Sequence, residues 1–324
     1  MTERITSAMV GNTTIANIES DLTQLSNTQE QLSTGFQINQ PSDNPYGAAL
    51  AISLNGQVSA YSAYQSNVSQ GTAWVESAST SLQSIAQTTQ SIRSLVVEGA
   101  NGTMSSTDLN DIGQEVLQYM AQIKQSANAE YDGSFIFSGD DVSTEPWSPT
   151  ATAADPAGED SFNGNTNSIN YSIGPSTQSQ VNFNLYGVLG DGQGSGGAFV
   201  ANATPGQPGT GGLLSTLRTI YNDMTGTNGG TQADLENQLT NLDTNISSLE
   251  GVQASVGATQ DSLQMASTRL TALSTSAQTD AGNVQDTDMA KATVTFSTEQ
   301  AGYQAALQSA ADIIQTSLLN FLQG

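Results

Sequence analysis

Residues 286–324 read DTDMAKATVTFSTEQAGYQAALQSAADIIQTSLLNFLQG. Tyr303, Leu307, Ala310, Ile314 and Phe321 recur at alternating steps of four and three, with Ser317 the one polar step. That spacing lays an apolar seam along one side of a helix. Ala306, Ile313, Leu318, Leu319 and Leu322 widen the stripe. At the other end of the chain, Ile15, Ile18, Leu22, Leu25, Leu32 and Phe36 keep the same alternation, with Gln29 the polar step. Two such seams predict that the chain ends meet as an antiparallel helix pair. They suit two core helices of an ordinary bundle. They equally suit a pair that buries its surplus apolar surface against other copies of the chain. On the second reading the candidate assembly surface is Ile15, Ile18, Leu22, Leu25, Leu32, Tyr303, Leu307, Ile314, Leu318 and Phe321.

Between the ends, the chain reads as helices, an insert, then helices. A first helix over about 6–33 stops near Gly35, a suitable C-terminal cap. In the connector that follows, Asn44 can cap a second helix with Pro45 in its first turn. Tyr61, Tyr64, Val68, Gly71, Val75, Ala78, Leu82, Ile85, Thr89, Ile92 and Val96 hold the alternation unbroken, which is the pattern of a long coiled-coil helix. Ser105 with Asp108 forms a capping box for a third helix carrying Leu109, Ile112, Val116, Tyr119 and Ile123. Tyr131-Asp132-Gly133 turns the chain, and Phe135-Ile136-Phe137 reads as a short strand.

Over residues 140–212 the composition shifts. Six of the eight prolines fall there. Ile169, Tyr171, Ile173 and Val181, Phe183, Leu185 alternate with period two around Gly174-Pro175-Ser176-Thr177, which predicts a small antiparallel sheet. Helical patterning resumes over 213–224. It restarts at Thr231, runs to about Ala281 and breaks at Gly282-Asn283. The predicted fold is mainly α: a long antiparallel helical rod formed by both chain ends, with a small β-rich insert. Its domains are 1–40 with 286–324, 41–139 with 213–285, and the insert 140–212.

Composition narrows the function. The chain has 324 residues, 6 basic and 30 acidic, for a formal charge of −24. Phosphate neutralisation needs clustered Lys and Arg, so a nucleic-acid partner is not expected, nor an anionic membrane surface. There is no cysteine and no histidine. That removes thiolate and imidazole metal sites and any Ser–His–Asp arrangement. No apolar run reaches the roughly 18 residues of a membrane span. Glu3, Glu19 and Asp21 interrupt the start, so no cleaved secretory signal is expected. The Gly-rich stretch 191–197 lacks the Lys-Ser/Thr of a phosphate loop. Asp140, Asp141 and Glu145 match no calcium-loop spacing and read as a solvated turn. No particular pair of carboxylates points to glycoside hydrolysis. No cofactor is expected.

Gln31-Leu32-Ser33-Thr34-Gly35 followed by Ile38-Asn39-Gln40-Pro41-Ser42-Asp43-Asn44-Pro45 resembles the amino-terminal signature of flagellin-like proteins. So do Gly99-Ala100-Asn101-Gly102-Thr103 and Phe135-Ile136-Phe137-Ser138-Gly139. Asp286-Thr287-Asp288-Met289-Ala290, Tyr303-Gln304-Ala305-Ala306-Leu307 and Ser317-Leu318-Leu319-Asn320-Phe321-Leu322 resemble its carboxyl-terminal counterpart. Within that family the pattern is most similar to the junction proteins between hook and filament. Gln37 and Gln40 depart from it, since basic residues are common around there. The resemblance covers about 1–139 and 213–324, and the insert carries none.

The resemblance implies a structural role rather than an enzyme. It implies export through the flagellar type III apparatus, with an export chaperone and without a cleaved signal, to an extracellular place on the bacterial flagellum. The implied partners are a hook-side junction protein, flagellin and copies of itself in a helical ring. It also implies terminal helices that order on assembly. Two other readings stay open: a filament flagellin, and a secreted enzyme or adhesin acting through the insert.

The charge balance generates a prediction of its own. At neutrality, copies carrying −24 each repel one another in a close-packed ring. Near pH 3, below carboxyl values of about 3.9 and 4.3, six basic residues leave only a small positive charge. Sedimentation of the purified protein with flagellin at low salt is expected to show more complex at pH 3 than at pH 7. Equal or greater association at pH 7 removes the idea.

Overall fold

The computed structural model describes residues 7–147, 162–190, 212–226 and 230–322; the side chains of Ser7, Ala8, Val10 and 312–322 lie outside that description. Seven helices and two small hairpins occur among these residues. The chain divides into two compact units, residues 1–61 with 272–324 and residues 62–271.

The first unit opens with α1 (Ser7–Thr34) and closes with α7 (Met289–Leu322), which pack together. They run antiparallel, as predicted: the Thr287 amide donates to the Gly35 carbonyl (2.8 Å) and the Gln37 amide to that of Gln285 (2.7 Å). Gly35 ends α1 with φ 78°, a left-handed conformation that suits glycine.

The second unit is built on the parts of α2 (Pro45–Gly99) and α6 (Gln232–Gln285) that fall within residues 62–271. Val75, Ala78, Leu82, Ile85, Thr89, Ile92 and Val96 are all fully buried, so the predicted seam is the core. Each large apolar side chain removed from water this way contributes about 1.5–3 kcal/mol. The Arg93 guanidinium grips Asp243 (Nε–Oδ1 2.6 Å), the Gln253 amide donates to the Leu82 carbonyl (3.2 Å), and the Gln65 amide to Thr271 (3.2 Å). Partners on α2 descend as those on α6 ascend, so the two helices are antiparallel here.

On the part of α6 within the second unit, the buried positions are Leu235, Gln238, Leu242, Asn245, Leu249, Val252, Val256, Leu263, Ala266 and Leu270. Gln238 and Asn245 thus fill seam slots beside Leu239 and Ile246, which are only half-buried. Asn245 is satisfied there by donating to the Thr216 hydroxyl (3.0 Å). The helix also runs on through Gly282-Asn283 to Gln285, where the sequence predicted a break. Glycine inside a helix costs only about 1 kcal/mol, which neighbouring turns outweigh. The chain leaves the helix instead at Asp286, beside the bridge between Phe36 and Asp286.

Helix α3 (Ser106–Ala127) begins with the predicted capping box, Ser105 and Asp108 bonding each other's backbone N–H. It packs on α5 (Leu213–Thr225), whose Leu213, Leu214, Leu217 and Ile220 are fully buried. Gly113 allows the approach: a Cβ there would sit 3.0 Å from the Thr225 methyl.

A hairpin of β1 (Glu130–Tyr131) and β2 (Ser134–Phe135) turns at Asp132-Gly133, both with positive φ. The predicted strand 135–137 is therefore shorter and shifted; the Ile136 amide still donates to the Ala129 carbonyl (3.1 Å), and Ile136 and Phe137 are fully buried. The second hairpin pairs β3 (Asn170–Gly174) with β4 (Thr177–Gln180), Tyr171 opposite Ser179. Its second strand thus lies before the predicted Val181, Phe183 and Leu185. The Asn182 side chain ends it, accepting from the Ile169 amide (2.8 Å) and donating to the Asn167 carbonyl (2.7 Å). A one-turn helix, α4 (Tyr186–Leu189), follows. Trp147 is fully buried beside Phe162, ring centroids 5.0 Å apart, and donates to the Gly190 carbonyl (3.0 Å).

Leu82→Ala or Ile85→Ala is expected to lower the unfolding free energy by about 2–5 kcal/mol, measured by urea denaturation. Ile52→Ala, at a side chain 70% exposed, is expected to change it by less than about 0.5 kcal/mol.

Candidate functional site

The residues singled out at the chain ends come together in the first unit, but not all on one face. On α1 the side turned toward α7 carries Gly11, Thr14, Ile18, Asp21, Leu25, Thr28 and Leu32, each half-buried or buried. On α7 it carries Ala292, Phe296, Glu299, Tyr303, Ala306 and Ala310. Ile18, Leu25, Leu32 and Tyr303 thus lie in the helix–helix seam. Ile15, Leu22 and Leu307 do not: they are 52%, 49% and 44% exposed. The seam uses the neighbouring three-four frame, which mixes small and polar residues with Ile18, Leu25, Leu32, Phe296 and Tyr303. Its remaining places hold Gly, Thr, Asp and Thr on α1 and Ala and Glu on α7, so an apolar count passes over them. Its signal is the spacing of small residues. Ile314, Leu318 and Phe321 continue the α7 backbone, and their side chains lie outside the described residues.

The outward positions are joined by Met9, Phe36, Met289 and Val294, and by Tyr46 and Ile52 on α2. The first unit therefore exposes many large apolar side chains, where scattered single ones are the ordinary case on a soluble monomer.

The connector is held by side chains that replace missing backbone partners. Asp43 accepts from the amides of Asn39 (3.0 Å) and Gln40 (2.9 Å). Asn44 caps α2 by accepting from the Gly47 amide (3.0 Å). At Gly47 a Cβ would meet the tip of the Ile38 side chain at 2.6 Å and the capping Asn44 amide at 2.7 Å, so a larger residue there would displace both. Gln37, where a basic residue is common in the resembled family, donates its amide to the Val284 carbonyl (2.9 Å). Asp288 caps α7 through the amides of Ala290 (3.0 Å) and Lys291 (3.1 Å).

The carboxylates considered for metal binding are engaged locally. Asp141 accepts from Ser143 (3.0 Å) and Thr144 (2.8 Å), which lowers its pKa, and Glu145 accepts from Asn128 (2.9 Å). Asp140 accepts from Asn165 and Asn167. The stretch 191–197 lies outside the described residues. No described helix is long and apolar enough to cross a membrane.

Residues 5–141 match the bacterial flagellin N-terminal helical region, and residues 239–322 the bacterial flagellin C-terminal helical region; together these cover more than half of the chain. Flagellin FlaB1 of Treponema pallidum is 30% identical over 111 residues, 34% of this chain and 39% of that protein. The chain spans less than half the length of the first curated relatives it matches. Among solved structures, a putative flagellar hook-associated protein from Vibrio parahaemolyticus superposes with TM-score 0.62 at 20% identity. The match covers 75% of this chain and 100% of that one. Flagellar hook associated protein-3 from Legionella pneumophila gives TM-score 0.57 at 13% identity, covering 71% and 98%.

Asp43→Ala removes two hydrogen bonds, each contributing about 1 kcal/mol. The expected outcome is faster hydrogen exchange at the Asn39 and Gln40 amides. The Gln37 amide, held by Gln285, is expected to keep its protection.

Proposed function

The chain belongs to the bacterial flagellin family, and from that premise we propose that it is the junction subunit joining the hook to the filament. It is a structural protein of the flagellum. Residues 1–40 with 286–324 form its assembly domain, 41–139 with 213–285 a helical support, and 140–212 an insert. The partners are a hook-side junction protein, flagellin and further copies of the chain in a helical ring. Delivery is by the type III export apparatus with its chaperone.

The observation that carries the reading is the extent of the structural likeness. The fold matches nearly the whole length of the hook-associated protein structures. The sequence likeness to the first flagellin relatives covers less than half of each, although a flagellin of Serratia marcescens is matched over 76% of its length at 22% identity. Exposed Ile15, Leu22 and Leu307 support an assembly role for the chain ends, because a lone monomer leaves them in water. A filament flagellin is the second reading, favoured by the flagellin names of those relatives. Copy number separates the two: a handful per filament for a junction, thousands for a filament subunit.

Leu318→Asp and Phe321→Asp are expected to abolish assembly while leaving the denaturation midpoint of the second unit unchanged, because a carboxylate buried without a partner blocks packing. Leu22→Asp and Leu307→Asp are expected to weaken assembly with no loss of monomer stability. Electron microscopy of strains carrying each change provides the readout. Normal filaments from the Leu318 and Phe321 variants overturn the assembly surface. Quantitative mass spectrometry of isolated flagella provides the copy number.

A further inference from the structure

Asp223 lies in the last turn of α5, just before Gly226 ends that helix at φ 72°. The residue is half-buried, and one carboxylate oxygen, Oδ2, is fully enclosed without a hydrogen-bond partner. Glycine at 230 lets the chain close over it: a Cβ there would lie 2.5 Å from the Asp223 Cα.

Three features oppose a negative charge at this point. Enclosure strips water from the carboxylate. The end of α5 presents carbonyl oxygens, the negative pole of the helix dipole. The third is Asp234, in the first turn of α6. Its carboxylate accepts from the Thr231 amide (2.8 Å) and hydroxyl (2.6 Å), which lowers its pKa and keeps it charged. Burial first, and the Asp234 charge second, push the Asp223 carboxyl up to about 6. The other charged residues on the neighbouring elements are Glu98 at the end of α2, Asp108 and Asp111 at the start of α3, Arg218 on α5 and Glu236 on α6, and none of them is a cause of the Asp223 shift. Asp234 is the one whose charge acts on Asp223.

We infer that the contact between the end of α5 and the start of α6 is a pH-sensitive latch, closed in acid with Asp223 protonated and weakened near neutrality. The folded state binds this proton more tightly than the unfolded chain, whose carboxyl titrates near ~3.9. Stability from the latch therefore grows as pH falls through about 6, is complete near the unfolded value, and is lost as pH rises again. The device lies wholly in the second unit and does not depend on the proposed junction role.

The test uses the full-length protein and its Asp223→Asn variant in urea denaturation from pH 4.5 to pH 7. Discounting for partial exposure, the wild-type folding constant is expected to gain on the order of tenfold more than the variant's as pH falls. Carboxyl-carbon NMR of the wild type is expected to show Asp223 titrating near 6, and Asp234→Asn to move that midpoint down. The NMR arm stands even if Asp223→Asn does not fold. Parallel pH profiles, or an Asp223 midpoint near 4, overturn the latch.

Discussion

The buried seam of α2 is the constraint from which the second unit follows. A helix with an unbroken apolar stripe from Val68 to Val96 cannot stand in water. It needs a partner nearly as long with a matching period. α6 supplies one, running antiparallel, with Leu242, Leu249, Val256, Leu263 and Leu270 at the same rhythm. The shorter α3 and α5 add Val116, Ile123, Leu217 and Ile220 to the buried set. The glycines follow from the same demand for close contact. Gly71 has the Tyr171 ring and a Val181 methyl at 3.1 Å from where its Cβ would be, and Gly113 brings α3 onto α5.

The charge inventory explains how the ends of these helices are held. With only six basic residues, ion pairs cannot organise a chain carrying thirty acids. Among the described residues, Arg93–Asp243 is the one ion pair. The acids turn to backbone N–H groups instead. Asp43, Asp108, Asp234 and Asp288 each accept from amides in the connector or at a helix start, where orphan donors and the positive end of the dipole are available. Asp223 departs from this pattern: it lies in the last turn of a helix with one carboxylate oxygen enclosed and unpartnered, and burial pushes its carboxyl up to about 6.

The first unit is organised differently. Its helix pair is closed by Thr14, Thr28, Ala292, Ala306 and Ala310 together with Ile18, Leu25, Leu32, Phe296 and Tyr303, while Ile15, Leu22 and Leu307 are left outside. A pair built that way keeps its own two helices together and still has apolar surface for further packing. That is the property a self-assembling subunit needs at its ends, and it separates this unit from the second, whose seam is already filled.

Much of this was legible in the sequence because it is local or periodic. The α2 stripe, the Ser105–Asp108 box, the stop at Gly35 and the Asn44-Pro45 start each depend on residues a few places apart, so the chain alone determines them. The antiparallel meeting of the two ends was legible too, because each end carries a stripe. What only the tertiary structure decided is which of two overlapping three-four frames faces the partner. Periodicity defines a helical face to within a residue or so. The choice between Ile15, Leu22, Leu307 and Gly11, Thr14, Ala306 belongs to how α1 and α7 are rotated where they pack together. The same holds where β4 stops: Val181 alternates as a strand should, yet the Asn182 side chain takes over the bonds to Ile169 and Asn167 once folding brings them within reach. The enclosure of Asp223 arises in the same way, because burial is a property of neighbours distant in sequence and no local pattern encodes it.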